Sequence, residues 1–220
     1  QPIKFVAAAA YDGSTKGVND WPLFRTAEVY LNFAEAKAEL GTLTQGDLDK
    51  SVNRIRARVG MPAINLATAN ADPDPLMEQF YPNVTQSAYT GAILEIRRER
   101  TVELAMEGFR QWDLLRWKEG KHFTEPYYGC YFPGPGKYDM NGDGVDDLVL
   151  WTGTKETVPG GVSKQIGVDV VLSEGNSGYI VAYPLLSYVW NDDRDYLWPI
   201  PTSEIVLSRG VLTQNPGWTQ

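Results

Sequence analysis

The sequence predicts a mainly helical fold built from helical hairpins, with a loop-rich insert containing short strands at about residues 124–195. Apolar residues recur at helical spacing in several segments between residues 25 and 117. Between residues 124 and 195, Gly, Pro, Tyr and Asp become more frequent and the helical periodicity disappears. With 220 residues, 43% hydrophobic and 22% charged, the chain is long enough to form one domain spanning 1–220 with its own core.

The first helix is predicted from Arg25 to Leu40 and has two apolar faces. One face holds Val29, Phe33, Ala36 and Leu40, and the opposite face holds Ala27, Leu31, Ala34 and Ala38. Two apolar faces predict packing on both sides, as in a layered array of helices. Gly41 suits the C-terminal end, because glycine readily adopts the left-handed conformation found there.

A second helix is predicted to begin at Thr44, which has capping-box spacing to Asp47. Its apolar positions are Leu48, Val52, Ile55 and Val59, and Gly60 and Pro62 end it. The short link to the first helix predicts an antiparallel hairpin. Residues 62–90 are rich in Pro, Asn, Asp and Ala and are predicted to form a loop.

A third helix is predicted from Ala92 to Glu107, and a fourth from Arg110 to Trp117 after a break at Gly108. Arg97 and Arg100 lie within the apolar arc of the third helix, and a buried arginine must be paired. The expected partners are Glu103, Glu107 and Asp113. We interpret this cluster as a salt-bridge lattice between helices, in preference to an active site with paired carboxylates.

Composition and charge exclude several classes of function. The net charge of −8 leaves no basic stripe to neutralise phosphates, so nucleic acid is not an expected partner. The single cysteine, Cys130, excludes an internal disulfide and a cysteine-based zinc site, and we expect it to be a small buried residue. No apolar run approaches the 18 residues or so that a membrane-spanning helix needs.

The insert contains two predicted strands, Asp169–Leu172 and Tyr179–Tyr183, and the start of a calcium loop. Calcium prefers oxygen ligands, and Gly144 permits the sharp turn that brings such ligands together. The predicted ligands are Asp139, Asn141, Asp143, the carbonyl of Val145, and Asp147. Leu150 occupies the position at which a glutamate would close the loop, so a solvated acidic turn is the alternative.

The insert also offers aromatic rings on which a sugar could stack. Pyranose faces pack on Trp or Tyr rings, while Asp, Asn and Arg bind the hydroxyl groups. The rings available are Tyr127, Tyr128, Tyr131, Phe132, Trp151, Tyr179, Tyr188 and Trp190. The predicted ligand-binding residues are Trp190, Asn191, Asp192, Arg194, Tyr188, Trp151 and Tyr128, with the run that begins at Trp190 as the principal candidate.

The sequence does not indicate an enzyme. The only histidine is His122, and no Gly-x-Ser-x-Gly nucleophile motif occurs. A retaining glycosidase needs two carboxylates about 5 Å apart, and nothing in the sequence selects such a pair. The prediction is binding without catalysis.

Three blocks of sequence, in this order, resemble the C-terminal part of the SusD/RagB family, the surface glycan-binding lipoproteins of Bacteroidetes. The blocks are RTAEVYLNFAEA (residues 25–36), ILEIRRERTVELAMEGFRQWDLLRW (93–117), and YLWPIPTSEI with TQNPGW (196–218). The resemblance covers roughly residues 20–60, 91–117 and 196–218. It implies a tetratricopeptide-related helical superhelix, closed by an extended C-terminal segment that the prolines at 199 and 201 favour.

The resemblance further implies a function and a location. The chain would bind oligosaccharides at the outer face of the outer membrane and deliver them to a SusC-like TonB-dependent transporter. Its membrane association would come only from a lipid anchor outside this chain. Two alternatives remain: binding of peptide nutrients, or a purely structural subunit that contacts the transporter.

Overall fold

A computed structural model describes Lys4 and residues 8–11, 13, 15–17, 22–84 and 87–219. Contacts within the chain divide it into two compact units, Gln1–Glu119 (the first unit) and Gly120–Gln220 (the second unit). Helices dominate the first unit and short strands occur in the second, so a mainly helical fold with short strands is confirmed. That residues 1–220 form one domain stays a prediction. Among the described residues, no helix combines the length and apolar character needed to span a membrane.

The described part of the first unit contains seven α-helices. They are α1 (Thr26–Glu39), α2 (Gln45–Asp49), α3 (Val52–Arg58), α4 (Leu66–Ala71), α5 (Pro75–Phe80), α6 (Thr90–Glu103) and α7 (Arg110–Arg116). Helix α1 ends as predicted, with Gly41 at φ +66°. The Thr42 N–H donates to the Lys37 carbonyl at 2.9 Å, which satisfies one of the last carbonyls of the helix.

Only one of the two apolar faces of α1 is packed within the first unit. Leu31, Ala34 and Ala38 are buried in a core that also contains residues of α2, α3 and α6. Val29 and Leu40, on the face predicted to pack on the other side, are exposed. The prediction that both faces pack is therefore wrong for this unit as the structure describes it.

The predicted second helix is interrupted and forms two short helices, α2 and α3. The capping box at its start is confirmed, because Thr44 Oγ1 accepts a hydrogen bond from the Asp47 N–H and the Asp47 side chain accepts one from the Thr44 N–H. The fully buried Ser51 Oγ donates to the Asp47 carbonyl. The Ser51 N–H donates to the Leu48 carbonyl at 3.1 Å in place of the Asp47 carbonyl, and the helix is interrupted at this point.

The prediction of a loop over residues 62–90 is wrong, because the segment contains α4 and α5. Asn65 caps α4 by accepting a hydrogen bond from the Thr68 N–H at 3.0 Å. Asp74 caps α5 by accepting one from the Leu76 N–H at 2.8 Å, and Pro75 occupies the first helical position. Both are recognised start signals, which the abundance of Pro, Asn and Asp obscured.

Helix α6 ends at Glu103, four residues before the predicted end, whereas α7 matches its prediction to within one residue. Lys4 Nζ donates to the carbonyls of Glu103 and Ala105 at 2.7 and 2.9 Å. Arg25 Nη2 also donates to the Glu103 carbonyl at 3.0 Å. Side-chain donors thus satisfy the carbonyl of the last helical residue, Glu103, where the chain leaves the helix.

The described part of the second unit contains two small sheets and one α-helix. The elements are β1 (Tyr128–Phe132), β2 (Gly136–Tyr138), β3 (Leu148–Trp151), β4 (Val162–Gln165), β5 (Gly178–Val181) and α8 (Thr202–Leu207). Strands β1 and β5 pair antiparallel; β3 pairs antiparallel with β2 and parallel with β4. A core of Phe132, Leu150, Ile166 and Leu172 supports both sheets.

Three predictions for the second unit need correction. Residues 169–172 form only isolated bridges, although the predicted strand at 179–183 is confirmed as β5. The C-terminal segment is not extended throughout, because α8 begins directly after Pro201, whose missing N–H is not needed there. Cys130 is exposed, because it lies in an irregular part of β1.

Candidate functional site: a tyrosine face on a bulged hairpin

Three tyrosines share one face of the β1–β5 ladder. Tyr131 pairs with Tyr179, and Tyr128 pairs with Val181. Because alternate residues of a strand point to the same side, Tyr179 and Val181 define one face, and both β1 tyrosines lie on it. Phe132 pairs with Gly178 on the opposite face, where Phe132 and Ile180 pack into the core.

The three rings are exposed and contact one another. Tyr128, Tyr131 and Tyr179 retain 56%, 54% and 48% of their accessible surface. The Tyr179 ring centroid lies 5.9 Å from that of Tyr128 and 5.3 Å from that of Tyr131. The ring planes meet at 46° and 68°, respectively. We call these three residues the tyrosine face.

A second group of exposed tyrosines lies in the same unit. Tyr127 contacts Tyr183 and Tyr188 edge to face, with ring centroids 6.1 and 6.3 Å apart. All three side chains are exposed. The predicted ligand-binding residues include one member of each group, Tyr128 from the tyrosine face and Tyr188 from the second group. Tyr183 is not among the aromatic rings selected from the sequence.

Trp190, the principal candidate from the sequence, is half-buried in an aromatic stack. Its ring lies 5.2 Å from Phe123 and 4.9 Å from Tyr196, and its indole N–H donates to Asp192 Oδ1 at 2.8 Å. The indole also covers Gly120 so closely that a Cβ there would lie 2.0 Å from it. Its role in ligand binding stays a prediction, and its contacts are those of a packing residue.

The polar residues that follow Trp190 are engaged within their own loop. Asn191 Oδ1 accepts a hydrogen bond from the Asp193 N–H at 3.0 Å. Arg194 forms an ion pair with Asp195, which raises the pKa of the guanidinium, and stacks 4.8 Å from the Trp218 ring centroid. Asp192 accepts the hydrogen bond from the Trp190 indole. Residues 190–195 therefore form one hydrogen-bonded loop.

Trp151 does not join the exposed rings. It is almost fully buried at the end of β3, and its indole N–H donates to Ser163 Oγ at 2.9 Å. A buried indole that has a hydrogen-bond partner is typical of a core position.

The predicted calcium loop is an exposed turn ordered by its own side chains. Asp139 accepts hydrogen bonds from the N–H groups of Gly142 and Gly144 at 2.6 and 2.7 Å, and the bond from Gly144 is the main cause of its lowered pKa. Asn141 Nδ2 donates to Asp143 Oδ2 at 3.1 Å. Among the described residues, no group of three His, Cys, Asp or Glu side chains is placed to hold a metal ion. The donor types suit calcium, but the site stays a prediction.

The arginine and glutamate cluster of the first unit is a lattice of ion pairs, but its pairing differs in part from prediction. Arg100 binds Asp113 as expected, whereas Glu103 and Glu107 bind Arg25. The other members of the lattice are Lys4 and Arg58 on these glutamates, and Glu35 on Arg116.

Arg97 is 5% exposed, and its ion-pair partners differ from the predicted Glu103, Glu107 and Asp113. Its nearest carboxylate oxygens belong to Glu39 and Glu119, each 3.7 Å away. The guanidinium carbon lies 4.5 Å from the Trp117 ring centroid. Burial lowers its pKa, although the nearby carboxylates partly oppose the shift. The partners lie on segments distant in sequence, so helical spacing could not reveal them.

Comparisons with known proteins identify a family and similar solved structures. The SusD family profile matches residues 1–218. The chain is similar to the solved structure of a SusD-like protein of Bacteroides fragilis, with 28% identity and a TM-score of 0.51, over 90% of this chain and 26% of that one. It is also similar to a SusD-like carbohydrate-binding protein of the same species, with 25% identity and a TM-score of 0.49, over 84% of this chain and 27% of that one.

No curated protein matches the chain. The chain spans about a quarter of the length of the two solved structures named above. The family match, in contrast, extends over nearly the whole sequence and includes the three blocks that carry the predicted resemblance. The chain therefore belongs to the SusD family.

Proposed function

We propose that this chain binds oligosaccharide nutrients at the bacterial cell surface without breaking them and passes them to a SusC-like TonB-dependent transporter. Membership of the SusD family supports the class of function. In this proposal the helices belong to a tetratricopeptide-like superhelix, and a lipid anchor outside this chain holds the protein at the outer face of the outer membrane.

The observation that carries the proposal is the tyrosine face. Contiguous exposed apolar surface on a protein often marks a binding site. A pyranose presents an apolar face of C–H groups, which packs on an aromatic ring, while the phenol hydroxyl can hydrogen-bond to sugar hydroxyls. Tyr128, Tyr131 and Tyr179 offer both kinds of contact on one face.

Two carboxylates of the first unit, Glu35 and Glu107, have the properties of ion-pair partners and not of proton donors. A glycosidase needs a carboxylic acid whose pKa is raised so that it can donate a proton. Burial raises the pKa of both Glu35 and Glu107, but hydrogen bonds from arginine and other donors outweigh it, and the pKa of each is lowered. Both groups are therefore ionised acceptors in ion pairs, which is a structural role.

The direct test is calorimetric titration of the full chain with maltoheptaose, cellohexaose, xylohexaose and mannohexaose. At least one should bind, and Tyr179→Ala should weaken binding about threefold to tenfold, the amount expected for one aromatic contact. Tyr11→Ala is the matched control, because Tyr11 is similarly exposed but belongs to the first unit.

Three results would contradict the proposal. They are no binding by the panel, equal binding by the Tyr179→Ala variant, or shortened oligosaccharides on chromatography after incubation. Capture of peptides from a tryptic digest, with no sugar bound, would support the peptide alternative.

A second candidate, a subunit that only contacts the transporter, is favoured by an apolar loop next to Tyr183 and Tyr188. Leu185 in this loop is 96% exposed, and Leu186 and Val189 are also exposed. Aliphatic side chains do not stack on sugars, so this loop suits contact with a protein. Replacing Leu185 and Val189 by Ser should then reduce co-purification with the transporter and leave sugar affinity unchanged.

A further inference from the structure

We propose that the β-bulge formed by Gly129 and Cys130 is a positioning device that turns Tyr128 onto the ligand face of the β1–β5 hairpin. The functional part of this inference rests on the proposed function, because it treats the tyrosine face as the place where sugar binds. The geometric part stands on the register of the two strands alone.

The bulge follows from counting residues between two paired positions. Strand β1 has four residues from Tyr128 to Tyr131, whereas the matching part of β5, from Tyr179 to Val181, has three. Gly129 and Cys130 therefore both lie opposite Ile180. Two residues opposite one is the definition of a bulge, and bulges commonly re-aim a side chain beside a functional site.

The extra residue decides which way Tyr128 points. In a regular strand, residues three apart lie on opposite faces, so Tyr128 and Tyr131 would be separated. Tyr128 would then share the face of Phe132 and Ile180, which pack into the core. A phenol hydroxyl placed there would lose hydrogen bonds to water. With the bulge, the ring centroids of Tyr128 and Tyr131 lie 5.9 and 5.3 Å from that of Tyr179.

Gly129 is suited to this position because Ile180 approaches it closely. A Cβ at Gly129 would lie 3.2 Å from Ile180 Cβ, which is tighter than ordinary van der Waals contact. Cys130 is exposed, and we assign it no role beyond supplying the extra residue. The device therefore depends on the number of residues between Tyr128 and Tyr131 and on a small residue at position 129.

The first test measures the geometry in the unmodified protein. With ring-labelled tyrosine, NMR should show nuclear Overhauser contacts between the rings of Tyr128 and Tyr179. Contacts from the Tyr128 ring to the Ile180 or Phe132 side chains would instead place it on the inner face and overturn the inference. This measurement requires neither a ligand nor a variant that must fold.

The second test removes the bulge and measures binding of whichever oligosaccharide of the four-member panel binds the unmodified chain. Deletion of Cys130 should weaken binding about threefold to tenfold, as Tyr128→Ala does, because the same ring contact is lost. Combining the two changes should cause no further loss, since both act on one ring. Cys130→Ser keeps the residue count and should bind like the unmodified chain.

The outcomes separate this inference from the proposed function. If Tyr179→Ala weakens binding but deletion of Cys130 does not, the tyrosine face binds sugar and the positioning role of the bulge is refuted. If no sugar binds, the proposed function fails, and the NMR contacts still decide the geometry. Loss of cooperative unfolding in the deletion variant would show that the bulge is required for folding, which also overturns a positioning role.

Discussion

Arg100 Nε donates a hydrogen bond to Asp113 Oδ2 at 2.7 Å, and both side chains are almost fully buried. Arg100 Nη1 also donates to Asn32 Oδ1 at 2.7 Å, and Asp113 Oδ1 accepts from Arg116 Nε at 3.0 Å. The pair thus links α1, α6 and α7 through one network of hydrogen bonds. Loss of Arg100 would leave the buried Asp113 with only the partly exposed Arg116 as its ion-pair partner, and loss of Asp113 would leave the buried Arg100 bonded to the neutral Asn32 but without its carboxylate.

We therefore expect Arg100→Met to lower the free energy of unfolding by about 3 kcal/mol, the low end for breaking a buried ion pair, because Arg116 still pairs with Asp113. Urea denaturation followed by circular dichroism measures this quantity. The double variant Arg100→Met with Asp113→Leu should be more stable than Arg100→Met alone, because the buried charge of Asp113 is removed together with that of its buried partner.

The matched control for this prediction is Arg98→Met on the same helix. Arg98 pairs with Asp74, and both side chains are partly exposed, so its loss should cost less than about 1 kcal/mol. If the two arginine variants prove equally stable, the buried pair does not organise the three helices.

A second prediction concerns acid. Burial raises the pKa of Glu35, but hydrogen bonds from Arg116 and from the Trp117 indole, at 2.7 Å, outweigh it and lower the pKa. Because the folded-state pKa lies below the unfolded value of about 4.3, ionised Glu35 contributes fully to stability above that pH. The contribution disappears as the pH falls through the folded-state pKa.

Glu35→Gln should accordingly be less stable than the unmodified chain at pH 7, and the difference should shrink below about pH 4. Urea denaturation at pH 7, 5 and 3 measures it, with Glu28→Gln as the control for removing a charge from α1. A difference that stays constant over this range, or grows in acid, would contradict the assigned direction of the pKa.

Local signals in the sequence identified features set by a few neighbouring residues, and missed those set by distant ones. Gly41 and the Thr44–Asp47 capping box were predicted correctly, because each acts within one turn of its own helix. Asp74 followed by Pro75 is an equally local signal for α5, and compositional bias hid it. Helix ends can thus be predicted from sequence when the capping residues are recognised by their spacing.

The candidate site was only partly predictable for the same reason. Tyr128 was selected as an aromatic residue in a loop-rich region, but its face depends on the register of β1 against β5. A bulge is defined by the pairing of two strands, so it cannot be predicted from one strand alone. The sequence therefore did not group Tyr131 and Tyr179 with Tyr128. Likewise, the sequence favoured Trp190 for its polar neighbours and could not show that Gly120, 70 positions earlier, lies beneath its indole.

A third prediction separates packing from binding at Trp190. The ring contacts Phe123, Tyr196 and Gly120, so Trp190→Ala should lower the free energy of unfolding by about 3 kcal/mol, near the low end for a tryptophan because the ring is half-buried. Gly120→Ala should also destabilise, because its Cβ would overlap the indole. Thermal and urea denaturation measure both variants.

Trp190→Phe is the conservative control, because it keeps an aromatic ring but loses the indole N–H that bonds Asp192. It should retain most of the stability and the full affinity for the panel oligosaccharide. A variant at this position that loses affinity at unchanged stability would support Trp190 as a ligand contact.

The last prediction decides between a calcium loop and a solvated turn at residues 139–147. If the loop binds calcium, the ion will stabilise only the folded state, because the oxygen ligands converge only there. A calcium concentration 100-fold above the dissociation constant should add about 2.7 kcal/mol and raise the melting temperature by about 5–10 °C. EGTA should reverse the rise, and Asp143→Asn, which removes one ligand charge with little change in shape, should reduce it.

Magnesium at the same concentration is the control for ionic strength, since it demands a smaller and more regular shell of ligands. An unchanged melting temperature in calcium, or an equal rise in magnesium, would instead favour a solvated turn ordered by its own hydrogen bonds, among them those from Gly142 and Gly144 to Asp139.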